Sequence, residues 1–218
     1  MTTNRTQEIA RRHLLQAAAT LTLGPMLLPR AAGSAETPSP QTAPKSFADV
    51  VRQRAMIRAY KSDPVSEEKI QQLLKYAARA PSGGNLQPWE FVVVKNPEVR
   101  VKLAKAAMDQ TSVATAPVII VTCADIQRAG SQVGTRGSFI SLVDTAFASL
   151  LILLGAVEQG LGACFVASYD AEEVAKLFGL PPHVRPVGLI TIGYPAEEPR
   201  KPTTKKIPLK KLVHVDKW

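Results

Sequence analysis

Residues Ala80 to Trp89 read APSGGNLQPW, and this segment constrains the structure more than any other. It follows a segment with the apolar spacing of an amphipathic helix and precedes Phe91 to Val94, a β-branched run typical of a strand. The paired glycines allow a ligand to approach the backbone closely, and the Ser, Asn and Gln side chains add uncharged donors and acceptors. This mixture suits the polar edge of a flat heterocycle better than it suits a metal ion or a nucleophile. The alternative interpretation is a polar turn that leads into a core tryptophan.

A second unusual segment lies upstream, where Arg52, Arg54 and Arg58 follow one another closely at the end of a short predicted helix. Guanidinium groups offer fixed, forked donors that match the oxygens of a phosphate dianion. The segment therefore favours a phosphate site, and a solvated basic helix face is the alternative.

The rest of the chain predicts helices and strands in mixed layers. Ser46 and Ser66 are expected to cap two helices, Asn96-Pro97 a third and Asp170 a fourth. The longest apolar helix pattern spans residues 138–159, and the polar stretch 125–137 is expected to be a loop. Strands are predicted at residues 91–94, 117–123, 164–167 and 187–192. This order indicates an α+β (mixed α/β) layer fold.

The first 35 residues are expected to be an export signal rather than part of the fold. Paired Arg11-Arg12 precede an apolar run, and small residues follow at 31–35, which resembles a twin-arginine signal peptide. Residues 36–45 are rich in Pro, Ser and Thr and predict a linker, so the folded domain is expected at 46–218. The expected location is the periplasm, or the cytoplasm if the leader is not functional. The apolar run is shorter than the roughly 20 residues of a membrane span, so no stable membrane anchor is expected once the leader is removed.

Composition narrows the function classes. The net charge of +9 allows an anionic partner such as nucleic acid, a membrane surface or a phosphorylated cofactor. Aromatic residues make up only 6% of the chain, which argues against a nucleic-acid binder that stacks bases. The three histidines have no metal-ligand spacing, and the two cysteines are predicted to be buried free thiols, so no metal site is expected. The sequence also lacks a GxxxxGK[ST] phosphate loop, a dinucleotide fingerprint and a GxSxG elbow.

Taken together, the segments resemble the FMN-dependent nitroreductase family. The match consists of Arg54 and Arg58, the helix before Ala80, the PSGGNLQPW loop and the EFVVV strand, in that order and spacing. It continues through the helix ending in EQGLG, the segment IGYP and the ending KKIPL, and covers nearly all of residues 46–218. The resemblance implies a central, mostly antiparallel sheet flanked by helices. It also implies a homodimer with a domain-swapped C-terminal tail and an FMN at each of two interface sites.

The resemblance assigns cofactor-binding residues by position. Arg54 and Arg58 match the phosphate-binding pair, and Lys206, helped by Lys205, matches a late basic position that also meets the phosphate. The isoalloxazine and the ribityl chain are expected to be bordered by the loop side chains and by the backbone at the end of the third predicted strand; these residues are Ser82, Asn85, Gln87, Val166 and Ala167. Trp89 and Cys164 are assigned to the core. The family often has serine at the position of Met56 and a basic residue at that of Ala55, so weaker FMN retention is expected.

The function implied by the resemblance is hydride transfer from NAD(P)H through FMN to a nitroaromatic, quinone or similar acceptor, by a ping-pong mechanism. The flavin carries the chemistry, so no catalytic side chain is expected. The stretch 125–137 is expected to border the opening and to set acceptor choice. A non-catalytic flavin-binding or redox carrier protein is the alternative. Free nicotinamide cofactors are cytoplasmic, so an exported enzyme would need another electron donor or a different flavin reaction.

Overall fold

The computed structural model describes residues 45–198 and 205–218. The predictions of a leader at 1–35 and a linker at 36–45 thus lie almost wholly outside the described residues. Within that part the chain forms seven α-helices and four strands. The helices are α1 (Phe47–Gln53), α2 (Glu67–Ala77), α3 (Pro97–Ala106), α4 (Thr111–Thr115), α5 (Ile126–Val133), α6 (Gly137–Glu158) and α7 (Ala171–Phe178); the strands are β1 (Trp89–Val94), β2 (Val118–Asp125), β3 (Gly162–Val166) and β4 (Val184–Gly193).

The four strands form one antiparallel sheet in the order β1-β2-β4-β3. Every residue of β2 is buried, as expected of a central strand that is covered on both faces. β3 is an edge strand, and its register with β4 places Gly162 opposite Gly193 and Val166 opposite Leu189. The prediction of an α+β fold around an antiparallel sheet is confirmed.

The sheet separates two hydrophobic cores because side chains alternate along each strand. Ile120 and Ile190 face the core formed with α2 and α6. Val121 and Leu189 face the opposite core, formed with α3, α4 and α7. The result is three layers, with α6 lying across one face of the sheet.

Most helices begin where the sequence predicts. Ser46 forms a capping box with Asp49, and Ser66 accepts a hydrogen bond from the backbone N–H of Lys69. Asn96 and Asp170 cap α3 and α7 in the same way. The loop predicted at 125–137 is wrong, because Asp125 accepts hydrogen bonds from the backbone N–H groups of Gln127 and Arg128 and so begins α5.

Together with the turn before it, the helix α6 is long enough and apolar enough to match a membrane span by length and composition. In the structure it packs on the sheet, with Ala148, Ile152 and Ala156 fully buried. It is therefore the central helix of one core layer. Its outer face carries the exposed residues Phe139, Leu142, Phe147 and Leu150, which we call the α6 apolar stripe.

Candidate functional site

The arginine segment is fixed along the outer edge of β3. Met56 forms a parallel bridge with Ala163, and the N–H of Ile57 donates to the carbonyl of Ala163 at 3.0 Å. A second bridge joins Tyr60 to Pro195, just beyond β4. The segment thus adds to the sheet edge as a short extra strand, which fixes where Arg54 and Arg58 leave the backbone.

Close packing holds this segment in place. A Cβ on Gly162 would lie 2.8 Å from the Cβ of Ile57, so only glycine allows the two backbones to approach this closely. The sulfur of Met56 accepts a hydrogen bond from the N–H of Phe165 at 3.4 Å. The thioether of Met56 packs inward against both cores.

A partly buried tyrosine supports the segment. The Tyr60 hydroxyl lies 2.5 Å from the carbonyl of Ile57 and 2.7 Å from the Thr191 hydroxyl. Burial raises the pKa of Tyr60 well above its usual range, so this hydroxyl stays protonated as a donor. The Tyr60–Thr191 pair is therefore a structural support between the arginine segment and β4.

A carboxylate from the loop after β4 also binds the segment. One oxygen of Glu197 accepts hydrogen bonds from the backbone N–H groups of Arg58 and Ala59, at 2.8 and 3.1 Å. Hydrogen bonds of this kind, with an ionised acceptor, are stronger than neutral ones. Glu197 thereby fixes the backbone at Arg58.

The arginine segment forms one wall of a cleft of about 1280 Å³. Six cationic side chains line it: Lys45, Arg52, Arg54, Arg58, Lys61 and Lys206. The acids Glu197 and Glu198 also line it, and cations predominate. Among the described residues, no ion pair involves the side chains of Arg54, Arg58 or Lys206.

The donor set of this cleft fits a phosphate group. Two guanidinium forks and an ammonium can bind the oxygens of a phosphate monoester, such as that of FMN, from several sides. The cleft brings together three of the residues assigned to the phosphate, Arg54, Arg58 and Lys206. Lys205 is exposed next to it, and Val166, the last residue of β3, is buried in the core.

The polar loop lies elsewhere. It forms a short 3-10 turn at Gly83–Asn85, and its backbone is left-handed at Gly84, Asn85 and Gln87, with φ values of 60°, 55° and 49°. The Ser82 hydroxyl oxygen accepts the N–H of Gln87 at 3.0 Å, and the Gln87 amide donates to the side-chain oxygen of Asn85 at 3.3 Å. The polar side chains are thus ordered among themselves, and their remaining donors face outward.

Within one chain the loop and the cationic cleft lie at opposite ends of α6. Gly83 contacts Asp144 near the start of the helix, whereas Val157, near its end, lines the cleft. Thirteen residues of helix separate these two positions, which is about 20 Å at 1.5 Å per residue. The structure therefore brings together the phosphate-binding candidates, and separately the loop candidates, but not both sets in one cleft of one chain.

The two residues assigned to the core are buried as predicted. Trp89 and Cys164 are 7% and 1% exposed, and Cys123 is fully buried. Burial raises the pKa of Cys123 to about 12 and also raises that of Cys164, so both remain thiols. Within residues 45–198 and 205–218 no group of His, Cys, Asp and Glu is arranged to hold a metal ion.

An antiparallel sheet edged by an arginine segment and a cationic cleft, with a polar Gly-Gly loop beside its long helix, carries donors that fit a phosphorylated ligand. The family model of the nitroreductase family matches residues 51–117 and 109–194. The chain belongs to this family.

Individual relatives agree with this assignment. A protein named NADH dehydrogenase from Thermus thermophilus is 35% identical, over 73% of this chain and 91% of the relative. The structure of nitroreductase A from Vibrio parahaemolyticus aligns with a TM-score of 0.72 and 27% identity, over 78% of this chain and 75% of that one. The NADPH:FMN oxidoreductase from Vibrio harveyi, solved in complex with NAD+, aligns with a TM-score of 0.72 and 26% identity, over 78% and 77% of the two chains.

Proposed function

We propose that this chain is an FMN-dependent oxidoreductase that takes hydride from NAD(P)H and passes the electrons to a nitroaromatic, a quinone or a similar flat acceptor. The observation that carries this proposal is the cleft lined by Arg54, Arg58 and Lys206, in which cationic side chains outnumber carboxylates among the described residues. The relatives from Thermus and Vibrio, whose names refer to NADH, NADPH, FMN and nitroreduction, support the same activity.

FMN would supply the redox chemistry, accepting hydride from the donor and releasing electrons to the acceptor in two successive half-reactions. The residues of the chain bind and orient. Arg54, Arg58 and Lys206 would hold the phosphate, and Ser82, Asn85 and Gln87 would border the ring and the ribityl chain. No side-chain acid or base is required, since the protein provides position and electrostatics only.

The complete site is proposed to form in a homodimer. The loop and the cleft are about 20 Å apart along one α6, so one chain does not surround a single cofactor with both. Two copies packed antiparallel through the α6 apolar stripe would place the start of one helix beside the end of the other. The C-terminal residues Ile207, Leu209, Leu212 and Trp218, all exposed in the single chain, would then have a partner to cover them.

Export by the twin-arginine route is a separate proposal that rests on the sequence of residues 1–35. Fractionation of bacterial cells that express the full chain would test it. The wild-type chain is expected in the periplasm, and an Arg11→Lys, Arg12→Lys variant in the cytoplasm. Equal distribution of the two proteins between the fractions would contradict export.

Titration with FMN tests the proposed site. Loss of a charge-assisted hydrogen bond costs roughly 1.5–3 kcal/mol, so Arg58→Met is expected to raise the FMN dissociation constant by about tenfold or more. Arg185, exposed at the start of β4, does not line the cleft, and Arg185→Met serves as the matched control. Equal FMN affinity of the two variants would contradict the site.

Steady-state rates distinguish the enzyme from a flavin carrier. The initial rate is measured while the concentrations of the nicotinamide (NADH or NADPH) and of a quinone are both varied. A ping-pong mechanism predicts that double-reciprocal plots of rate against nicotinamide concentration are parallel lines. A protein that binds FMN but oxidises neither nicotinamide would instead be the carrier.

A further inference from the structure

The polar loop at residues 82–87 has an unfavourable backbone that needs external support. Asn85 and Gln87 adopt φ values of 55° and 49°, a left-handed conformation that costs a side-chain-bearing residue roughly 1–2 kcal/mol. Such conformations persist only where the surroundings over-determine them. Two charged side chains, one on α6 and one on α5, contact the two ends of this loop.

Asp144 supports the beginning of the loop. It lies on α6, is 4% exposed, and accepts the N–H of Gly83 at 3.1 Å. A buried carboxylate costs free energy unless it is hydrogen-bonded, so its presence here is not explained by packing alone. A Cβ on Gly83 would lie 3.1 Å from the side chain of Ile140, so the loop is pressed closely against the helix at this point.

Arg128 supports the end of the loop. Its guanidinium donates to the carbonyl of Gln87 at 2.8 Å, and it also binds the carboxylates of Glu90 and Asp125. Asp125 is itself buried, and its N–H donates to the carbonyl of Pro88 at 2.7 Å. Arg128 therefore belongs to a fixed hydrogen-bonded network that joins the loop, β1 and the start of α5.

We propose that Arg128 and Asp144 are positioning residues that hold the loop in its left-handed shape and so present Asn85 and Gln87 to the cofactor. This inference rests on the proposed function, since it takes the loop to border the flavin. One terminal nitrogen of the guanidinium binds the carboxylates of Glu90 and Asp125, and the other donates to the carbonyl of Gln87. The Asp144 carboxylate fixes the other end through an N–H, so the loop is restrained at both ends by bonds with an ionised partner.

Hydrogen–deuterium exchange of the full protein as purified tests the anchoring. Arg128→Met and Asp144→Ala are expected to raise the exchange rates of the amides of residues 83–87 by about tenfold, since each removes the side chain's hydrogen bond to the loop. Arg128→Lys keeps the charge but not the several fixed donors of the guanidinium. It is expected to restore part of the protection of the loop amides against exchange. Arg136 lies in the exposed turn before α6 and has no hydrogen bond to the loop among the described residues, so Arg136→Met is the control.

Flavin binding by the same variants tests the positioning. The FMN dissociation constant is expected to rise about five- to tenfold in Arg128→Met, with altered vibronic structure in the visible band of the bound flavin. Wild-type exchange rates in both variants would overturn the anchoring. Faster exchange with unchanged FMN affinity and spectrum would overturn the positioning role. A wild-type protein that takes up no FMN would overturn the proposed function and the flavin part of this inference, while the exchange rates would still decide the anchoring.

Discussion

Asn85 combines two properties that substitution can separate. Its backbone is left-handed, a conformation that glycine adopts easily and alanine does not. Its side chain is a candidate flavin contact. Asn85→Ala is therefore expected to be less stable than Asn85→Gly by about 1 kcal/mol, while both bind FMN more weakly than the wild type. Urea unfolding and FMN titration of the two variants measure the two effects. Equal stability would show that the left-handed backbone stores no strain.

The buried carboxyl group of Asp144 is expected to make the stability of the protein depend on pH. Desolvation raises its pKa above the ordinary value, and this effect outweighs the hydrogen bond from Gly83. The folded state then binds more protons than the unfolded state between the ordinary and the raised pKa. The contribution of Asp144 to the free energy of unfolding is therefore present at low pH, and it is lost as pH rises through the raised pKa.

Asp144→Asn keeps the shape and an acceptor oxygen without the charge. The variant is expected to melt at a higher temperature than the wild type at pH 7, and the difference is expected to disappear towards pH 4. Thermal melts between pH 4 and 8 measure it. A variant that is less stable at pH 7 would mean that the carboxylate bond to Gly83 is worth more than its desolvation costs.

The two cysteines are expected to be inert in the folded protein. Burial raises the pKa of Cys123 to about 12 and raises that of Cys164, so little thiolate forms at pH 8. A thiol reagent should label neither residue in native buffer and both in denaturant. Rapid labelling of the native protein would contradict their burial.

At the scale of elements, the contact between β3 and the arginine segment depends on Gly162, which has no side chain. Gly162→Ala would place a Cβ 2.8 Å from Ile57, so the arginine segment must move away from the sheet edge. We expect lower stability and weaker FMN binding together. The control is Gly130→Ala in α5, where a Cβ meets nothing within 4 Å and alanine is the better helix former. If Gly162→Ala binds FMN like the control, the edge contact does not position the arginines.

The elements were predictable from the sequence where the signal is local. The caps at Ser46, Ser66, Asn96 and Asp170 and the apolar run of β2 each depend on neighbouring residues, and the structure has them where expected. The helix α5 was missed because Asp125 ends a strand and caps a helix at once, and because glycines lower helix propensity.

The site was predictable only in part for the same reason. Arginines and a Gly-Gly loop are visible as composition, whereas the hydrogen bonds from Arg128 to Gln87 and from Gly83 to Asp144 join residues 41 and 61 positions apart. The hydrogen bond from the Arg58 N–H to Glu197 joins residues that are still farther apart in sequence, by 139 positions. Only the folded chain brings these groups together.

At the scale of the whole molecule, the α6 apolar stripe predicts the oligomeric state. Phe147 and Leu150 are 43% and 46% exposed in the single chain, and we expect this apolar stripe to be the surface at which two copies pack. Light scattering after gel filtration is expected to give twice the mass of one chain. Leu150→Glu should reduce the mass to that of a monomer and weaken FMN binding. Val101→Glu, on the exposed face of α3, should remain a dimer. A wild-type monomer that retains FMN would contradict the shared site.

The central claim is that the chain binds FMN and reduces it with a nicotinamide donor. The most direct test is the visible absorbance spectrum of the purified protein, followed by anaerobic addition of NADH and then NADPH. A flavin spectrum that bleaches on addition is the predicted result, and it identifies the donor. A colourless protein that added FMN does not reconstitute would contradict the account.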